Sequence, residues 1–242
     1  MPRSSRGSAG VGKEKKLMET IRNLIVTEEG GLTGAGYAVF IILGIAALLV
    51  GAYIAGRSST RKKMTARELA FCAVAIALAY AASFVPLFRM PFGGSVTLFS
   101  MLFIVLIAYW YGPQTGILVG FAYGVLQFLQ EPYYLSLLQV CLDYLVAFAA
   151  LGVAGFFRKQ KNGLIKGYLA AVFARGVFAS LAGYLFWMEY MPDNFPKSLT
   201  AVYPVVYNYM YLIAEAVLTV ILLAIPAMKK AVAQVTKMAH GN

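Results

Sequence analysis

Uncharged stretches long enough to cross a bilayer recur along this chain. The first lies at 36–56, the second at 69–87, and an uncharged run at 90–130 is too long for a single crossing. Gly112-Pro113 divides that run, because a proline disfavours helical backbone at the residue before it. Three more apolar stretches lie at 132–157, 166–188 and 198–228. Since a transmembrane helix needs about 20 mostly apolar residues, the pattern predicts an all-α integral membrane protein, with a six-helix bundle preceded by one extra N-terminal transmembrane helix.

Basic residues between these stretches indicate which loops face the cytoplasm. They cluster at three places, at Arg57, Arg61, Lys62, Lys63, Arg67, Arg158, Lys159, Lys161, Lys166, Lys229 and Lys230. Because cytoplasmic loops carry an excess of lysine and arginine, we expect both ends of the six-helix core on the cytoplasmic side of the membrane. The predicted organisation is a mobile polar tail at 1–35, the extra helix at 36–56, a six-helix membrane domain at 65–230 and a cytoplasmic tail at 231–242.

Composition supports the membrane class and argues against several chemistries. Hydrophobic residues make up 60% of the chain and charged residues 13%, about half the charge of a soluble domain. The lysines and arginines that give the net charge of +11 cluster beside apolar spans, so we expect no nucleic-acid partner. Cys72 and Cys141 fall inside spans without metal-ligand spacing, and Glu14 replaces the Mg²⁺-binding residue in a P-loop-like stretch at 7–13. We therefore predict no metal, no cofactor and no enzymatic activity.

Small residues repeat every fourth position in the stretch at 69–87. Ala73, Ala77 and Ala81 form one such series, and Ala75 and Ala79 form another. Small residues at this spacing let helices approach closely in lipid. The series predicts either packing inside the bundle or a surface on which a partner helix docks.

Three ionisable residues lie inside predicted spans. Asp143 belongs to the polar stretch 139–144, Arg175 lies in the fifth core helix and Glu215 in the sixth. A charge within the bilayer costs about 2.5 kcal/mol or more on insertion scales, so it faces the protein interior and has a partner. Arg175 either serves function or is the partner of Asp143 or Glu215, and the partner of Asp143 is otherwise a cation that is not part of the protein. Glu215 either serves function or accepts hydrogen bonds from neighbouring tyrosines.

Aromatic residues gather near the predicted outer ends of the last two helices. The group comprises Trp187, Tyr203, Tyr207 and Tyr211, with Asn208 among them. Aromatic faces attract cations and stack on planar rings, so these residues with Asp143 suit a flat cationic ligand in a pocket that opens outward. An interfacial aromatic belt would use the same residue types, but Asp143 and Asn208 favour the pocket.

Four separate motifs resemble one family of membrane proteins. They are the loop Met90-Pro-Phe-Gly-Gly-Ser-Val-Thr97, the run Leu142-Asp-Tyr144, Trp187, and the pair Tyr203 and Asn208. Their order and spacing resemble the thiamine-specific S component of energy-coupling factor transporters, the ThiT family. The resemblance covers about residues 65–230. It implies that 65–230 is a substrate-binding six-helix bundle in a bacterial cell membrane, which captures thiamine or a close analogue from outside. It also implies docking, through Ala73, Ala77 and Ala81, on a transmembrane coupling subunit driven by two cytoplasmic ATPases.

The resemblance also implies which side chains contact the ligand. The matching positions are Tyr133, Asp143, Tyr144, Trp187, Tyr203 and Asn208, and Gln139, which opens the central polar stretch, is included with them. Two positions depart from the family. Its binding histidine falls on Ala179, and a tryptophan of the first outer loop is represented by Phe92. Because of Ala179, a thiamine precursor or a related pyrimidine stays open as the ligand.

The sequence therefore predicts a solute-binding membrane subunit, and one other class of transporter remains as an alternative. A free-standing proton-coupled secondary transporter for a small cationic heterocycle would use Asp143, Arg175 and Glu215 as a proton relay. The extra helix at 36–56, its orientation, and whether the coupling module is dedicated or shared are left open.

Overall fold

The computed structural model describes residues 64–90 and 94–241, together with short pieces and single positions between 16 and 42. The predicted extra helix at 36–56 lies almost entirely outside the described residues. Six helices form the bundle, α1 (Ala66–Ser83), α2 (Ser100–Tyr111), α3 (Pro113–Gln130), α4 (Leu137–Phe157), α5 (Gly163–Ala182) and α6 (Tyr203–Ala224). A further helix, α7 (Pro226–His240), follows them.

Local sequence explains where the first helices begin and end. Thr65 caps α1 in a capping box, because its hydroxyl accepts the backbone N–H of Glu68 at 3.2 Å and its own N–H donates to the Glu68 carboxylate at 2.9 Å. The predicted break at Gly112-Pro113 is present. Gly112 has a φ of 96° and Pro113 opens α3, where its missing N–H costs no helical hydrogen bond.

Four of the helices among the described residues are long and apolar enough to cross a membrane. They are α1, α4, α5 with its extension to Tyr190, and α6 with the turn that starts at Lys197. The α2 helix is apolar but shorter, and α3 carries three glutamines. The predicted class of an all-α multi-pass membrane protein is confirmed, whereas the helix count is matched only when α2 and α3 are included.

Two segments differ from the sequence-based expectation. The first outer loop contains a short antiparallel hairpin, with β1 (Pro86–Arg89) paired to β2 (Ser95–Thr97). The predicted helix at 198–228 ends at Ala224, because Ile225 precedes a proline and is extended. After this break α7 covers part of the predicted tail at 231–242, where Thr236 accepts the indole N–H of Trp110 at 2.9 Å.

Glycines bring α3 into backbone contact with α4. A Cβ atom on Gly120 would overlap the carbonyl oxygen of Phe148, and one on Gly124 would overlap that of Tyr144. Small residues every fourth position permit such close approach in membranes. The contact fixes the height of Tyr144, and therefore of its neighbour Asp143, relative to α3.

The described part of the predicted N-terminal tail touches the bundle near Tyr144. Ile25 packs against a small cluster formed by Phe128 and Val140, to which Tyr134 and Tyr144 also belong. This cluster lies at the end of the bundle that carries the turn between α3 and α4, which is the outer end by the positive-inside rule.

Candidate functional site

A cavity of about 290 Å³ lies among α3, α4, α5, α6 and the hairpin. Its volume is at the lower end of the range for small-molecule sites, roughly 300–1,000 Å³. Residues from six elements line it, since α2 contributes Ser100, and they are Gly94, Ser95, Thr97, Ser100, Gln127, Gln130, Glu131, Asp143, Tyr144, Phe148, Arg175, Ala179, Trp187, Tyr207, Asn208, Tyr211 and Glu215. Because the hairpin and the α3–α4 turn contribute, the cavity lies in the outer half of the bundle.

Asp143 is held in this cavity by two hydrogen bonds to one of its oxygens. Its Oδ2 accepts the side-chain amide of Gln139 at 2.9 Å and the indole N–H of Trp187 at 2.7 Å. Gln139 is fully buried, and its own oxygen accepts the backbone N–H of Leu135 at 3.2 Å. Bonds of this kind stabilise the ionised form of a carboxylate. The arrangement orients a negative charge toward the cavity.

Both members of the Asp143–Trp187 bond lie in π-helical turns. Asp143 belongs to the segment Cys141–Val146 of α4, and Trp187 ends the segment Gly183–Trp187 that continues α5. Such turns widen a helix by one residue and occur frequently at functional sites. The spacing of apolar residues gives no signal for them.

An aromatic cluster surrounds Trp187 on its outer side. The ring of Tyr133 lies 4.9 Å from that of Trp187, and the ring of Tyr190 lies 5.5 Å from it. Tyr133 and Tyr190 share a hydrogen bond, which raises the pKa of Tyr133 above its ordinary value. Tyr133 therefore packs against the indole of Trp187 from the loop before α4 and does not itself line the cavity.

Asn208 lines the cavity, but most of its hydrogen-bonding capacity is already used. Its Nδ2 donates to the carbonyls of Pro204 at 2.9 Å and Ala179 at 3.2 Å, and its Oδ1 accepts the hydroxyl of Tyr211 at 3.0 Å. An asparagine amide has two donors and two acceptor lone pairs. In this state Asn208 can offer a ligand one acceptor position.

The structure divides the predicted site residues into two groups. Asp143, Tyr144, Trp187 and Asn208 line the cavity, and Tyr144 also donates its hydroxyl to the carbonyl of Glu131 at 3.0 Å. The other three described ones, Tyr133, Gln139 and Tyr203, lie behind them.

Tyr203 contributes through its neighbour. Its ring is stacked against that of Tyr207 at 5.8 Å, and Tyr207 lines the cavity. Phe92 lies outside the described residues. Ala179 is buried and lines the cavity, so the cavity wall carries only a methyl group at that position.

Two glutamines of α3 line the cavity and were not predicted. The Nε2 of Gln127 donates to the Ser83 hydroxyl at 2.9 Å, and that hydroxyl donates to Gln130 at 2.8 Å. The sequence feature that could have indicated them is the presence of two amide side chains, three residues apart, near the end of an otherwise apolar run. Sequence alone could not distinguish them from residues at a helix end.

Arg175 and Glu215 also line the cavity. The Oε2 of Glu215 accepts the backbone N–H of Thr97 at 3.1 Å and its hydroxyl at 3.0 Å. The guanidinium of Arg175 lies 4.1 Å from the ring centroid of Phe148. Its Nε and the Glu215 Oε1 are both buried and have no hydrogen-bond partner in the described part of the chain. The alternative that Arg175 pairs with Asp143 receives no support, since Oδ2 of Asp143 accepts from Gln139 and Trp187 and the Nε of Arg175 has no partner among the described residues.

The two alanine series of α1 have different environments. Ala75 and Ala79 are buried in the bundle, whereas Ala73, Ala77 and Ala81 are exposed on its surface. Ala75 and Ala79 therefore pack inside the bundle. The other series does not take part in packing among the described residues.

Comparisons with known proteins agree with this architecture. Residues 69–235 match the model of a family described as thiamine transporter protein. The chain is 31% identical over 155 residues to thiamine transporter ThiT of Bacillus subtilis (strain 168), which covers 56% of this chain and 76% of that protein. The structure of ThiT from Listeria monocytogenes is similar with a TM-score of 0.53 and 25% identity, covering 64% of this chain and 92% of the other.

Proposed function

The chain belongs to the thiamine transporter protein family, and we propose that it is the substrate-binding subunit of an energy-coupling factor importer, which captures thiamine from the outer side of the cell membrane. The cavity in the outer half of the bundle supports capture from that side. As a member of a transporter family with a multi-pass helical fold, the protein moves its ligand rather than transforming it.

The bond between Asp143 and Trp187 is the observation that carries this proposal. It puts a carboxylate and the largest aromatic ring of the site at one wall of the cavity. Thiamine carries a permanently charged thiazolium ring, which a carboxylate attracts and an indole face binds through cation–π contact. A neutral heterocycle would leave the charge of Asp143 without a partner, which is costly in a buried site.

Titration calorimetry of the purified chain tests the ligand assignment. We expect thiamine to bind, and the isolated aminopyrimidine half, which lacks the cationic ring, to bind far more weakly. Mass spectrometry of ligand carried through purification gives an independent answer. Absence of thiamine binding, or tighter binding of the pyrimidine alone, would contradict the proposal and favour a thiamine precursor.

The exposed alanines of α1 support the docking half of the proposal. Ala73, Ala77 and Ala81 form a smooth strip that no described residue covers, and small residues of this kind allow another helix to approach closely in lipid. We propose that the transmembrane coupling subunit, with its two cytoplasmic ATPases, docks there.

Uptake measurements separate this mechanism from a free-standing secondary transporter. The buried groups of Arg175 and Glu215 beside the cavity are the observation that favours the alternative. In proteoliposomes that contain the chain alone, we expect binding without accumulation of thiamine. Accumulation that a protonophore abolishes would instead establish proton-coupled transport by this chain.

A further inference from the structure

The two glutamines of α3 give the cavity a polar wall that the capture of a cation does not explain. Gln127 and Gln130 line the cavity together with Asp143 and Trp187, which come from α4 and the extension of α5. A neutral amide binds through directed hydrogen bonds rather than through charge. What it contributes to a ligand therefore depends on which of its donors and acceptors are free.

Hydrogen bonds to Ser83 and between the two amides fix the orientation of both glutamines. The Nε2 of Gln127 donates to the Ser83 hydroxyl at 2.9 Å and to the Oε1 of Gln130 at 3.2 Å. The Ser83 hydroxyl lies 2.8 Å from that Oε1 and 2.7 Å from the carbonyl of Tyr80, so the two oxygens share its hydrogen. An amide nitrogen has two hydrogens and an amide oxygen has two lone pairs. The nitrogen of Gln127 and the oxygen of Gln130 are therefore fully used.

One acceptor and one donor remain free after this accounting. The Oε1 of Gln127 and the Nε2 of Gln130 take no part in these bonds. Both side chains are only partly buried, and neither atom is among the fully buried atoms of the described residues that lack a partner. Both atoms are thus accessible on side chains that line the cavity.

This pair of free atoms matches one edge of an aminopyrimidine. A ring nitrogen next to an amino-bearing carbon offers one acceptor beside one donor, the kind of pattern by which amide side chains bind adenine. We propose that Gln127 and Gln130 determine specificity for the aminopyrimidine half of the ligand. The Oε1 of Gln127 accepts from the amino group, the Nε2 of Gln130 donates to the ring nitrogen, and Ser83 is a positioning residue that keeps both amides in this orientation. The inference rests on the proposed function and assigns a wall to the half of thiamine that carries no permanent charge.

Oxythiamine gives the sharpest comparison with thiamine. An oxygen replaces the amino group and the neighbouring ring nitrogen carries a hydrogen, so the donor and the acceptor on this edge are exchanged. The cationic ring and the size of the ligand stay the same. On the full-length wild type, the carbonyl would face the Oε1 of Gln127 and the ring N–H would face the Nε2 of Gln130. Because unpaired polar groups are costly, we expect calorimetry to show oxythiamine binding more weakly than thiamine by roughly tenfold or more.

Gln130→Glu replaces the free donor and preserves the network. One carboxylate oxygen can still accept from Ser83 and Gln127, while the other presents an acceptor in place of the donor. Both ligands carry the same positive charge, so the effect of the added negative charge cancels in the ratio of their affinities. We expect the preference for thiamine over oxythiamine to fall by roughly tenfold or more. Ser83→Ala frees the amides to turn and should narrow the same preference.

Gln114→Glu is the matched control, because Gln114 is the third glutamine of α3 and is exposed at the other end of that helix, outside the cavity. It should leave the preference at the wild-type value. Equal binding of thiamine and oxythiamine by the wild type would overturn the proposal, as would an unchanged preference in a folded Gln130→Glu. If that variant does not fold, Ser83→Ala decides. A lower thermal midpoint with an unchanged preference in Ser83→Ala would mean that the network only ties α1 to α3. Absence of thiamine binding by the wild type would instead contradict the proposed function.

Discussion

Replacing Asp143 by asparagine removes one negative charge from the cavity and changes little else. The new side chain has nearly the same shape, and its oxygen can still accept from Gln139 and Trp187, which both donate to a single oxygen of Asp143. The bonds that hold α4 to the end of α5 therefore remain. We expect Asp143→Asn to fold with a thermal midpoint close to that of the wild type.

The expected loss of affinity follows from the charge. Two opposite unit charges about 4 Å apart attract each other by about 4 kcal/mol at an effective dielectric constant near 20. Part of this is offset, because the wild-type carboxylate must lose its hydration when the ligand enters. We take a net loss of about 2–3 kcal/mol, which corresponds to a roughly 30- to 150-fold higher Kd for thiamine.

Titration calorimetry on detergent-solubilised protein, freed of bound ligand, measures this change. Asp193→Asn removes the same charge from an exposed loop position and should leave Kd unchanged. An uncharged isostere of thiamine should lose no affinity in Asp143→Asn and should bind that variant more tightly than the wild type, because it leaves the wild-type carboxylate without a counter-charge. Unchanged thiamine affinity in folded Asp143→Asn would refute the electrostatic role of Asp143.

Three further substitutions test other parts of the reasoning. Ala77→Leu adds bulk to the exposed strip of α1 and should abolish co-purification with a coupling module while thiamine affinity stays at the wild-type value. Ala179→His should tighten thiamine binding, because the cavity wall is low there and an added ring contributes about 0.5–1.5 kcal/mol, or up to roughly tenfold in Kd by calorimetry. Gly124→Ala should lower the thermal midpoint, since its Cβ would overlap the Tyr144 carbonyl and overpacking costs about 1–3 kcal/mol.

Each of these outcomes has a result that contradicts it. Loss of both docking and thiamine binding in Ala77→Leu would mean that the strip supports the bundle itself. Weaker thiamine binding in Ala179→His would mean that the cavity is shaped around the alanine for a bulkier ligand. For Gly124→Ala the comparison is Gly34→Ala, where a Cβ would meet nothing within 4 Å. Equal midpoints for these two variants would refute the close contact between α3 and α4.

Hydropathy and charge predicted the parts of the fold that lipid dictates. The break at Gly112-Pro113 and the inward-facing carboxylate of Asp143 follow from rules that hold for any membrane helix. The prediction placed the end of α6 too late, although Pro226 marks the true end. The apolar run of α6 continues directly into the first residues of α7, so hydropathy alone assigns both to one span.

The finer arrangement of the site depends on contacts between distant positions. Trp187 was predicted as a wall for the ligand, but its indole also donates to Asp143, forty-four residues away. Gln127 enters the cavity through a network with Ser83 on another helix. Neither pairing leaves a pattern in the neighbouring sequence. Residues of the site could therefore be predicted from the sequence, but the hydrogen bonds between them could not.

The winding of α4 changes along its length. The helix is underwound in the π-helical turn Cys141–Val146 and overwound in the 3₁₀ segment Ala150–Phe157, since hydrogen bonds to the fifth residue turn the chain less per residue than bonds to the third. The first deviation aims Asp143 into the cavity, and the second follows where Gly152 lies against Ile117. Deleting one residue from the π-helical turn would rotate one half of α4 by about 100° relative to the other. Such a deletion would leave a membrane-spanning apolar helix without its binding site, so a relative of this protein can keep every hydropathy feature of the family and still have lost the ligand.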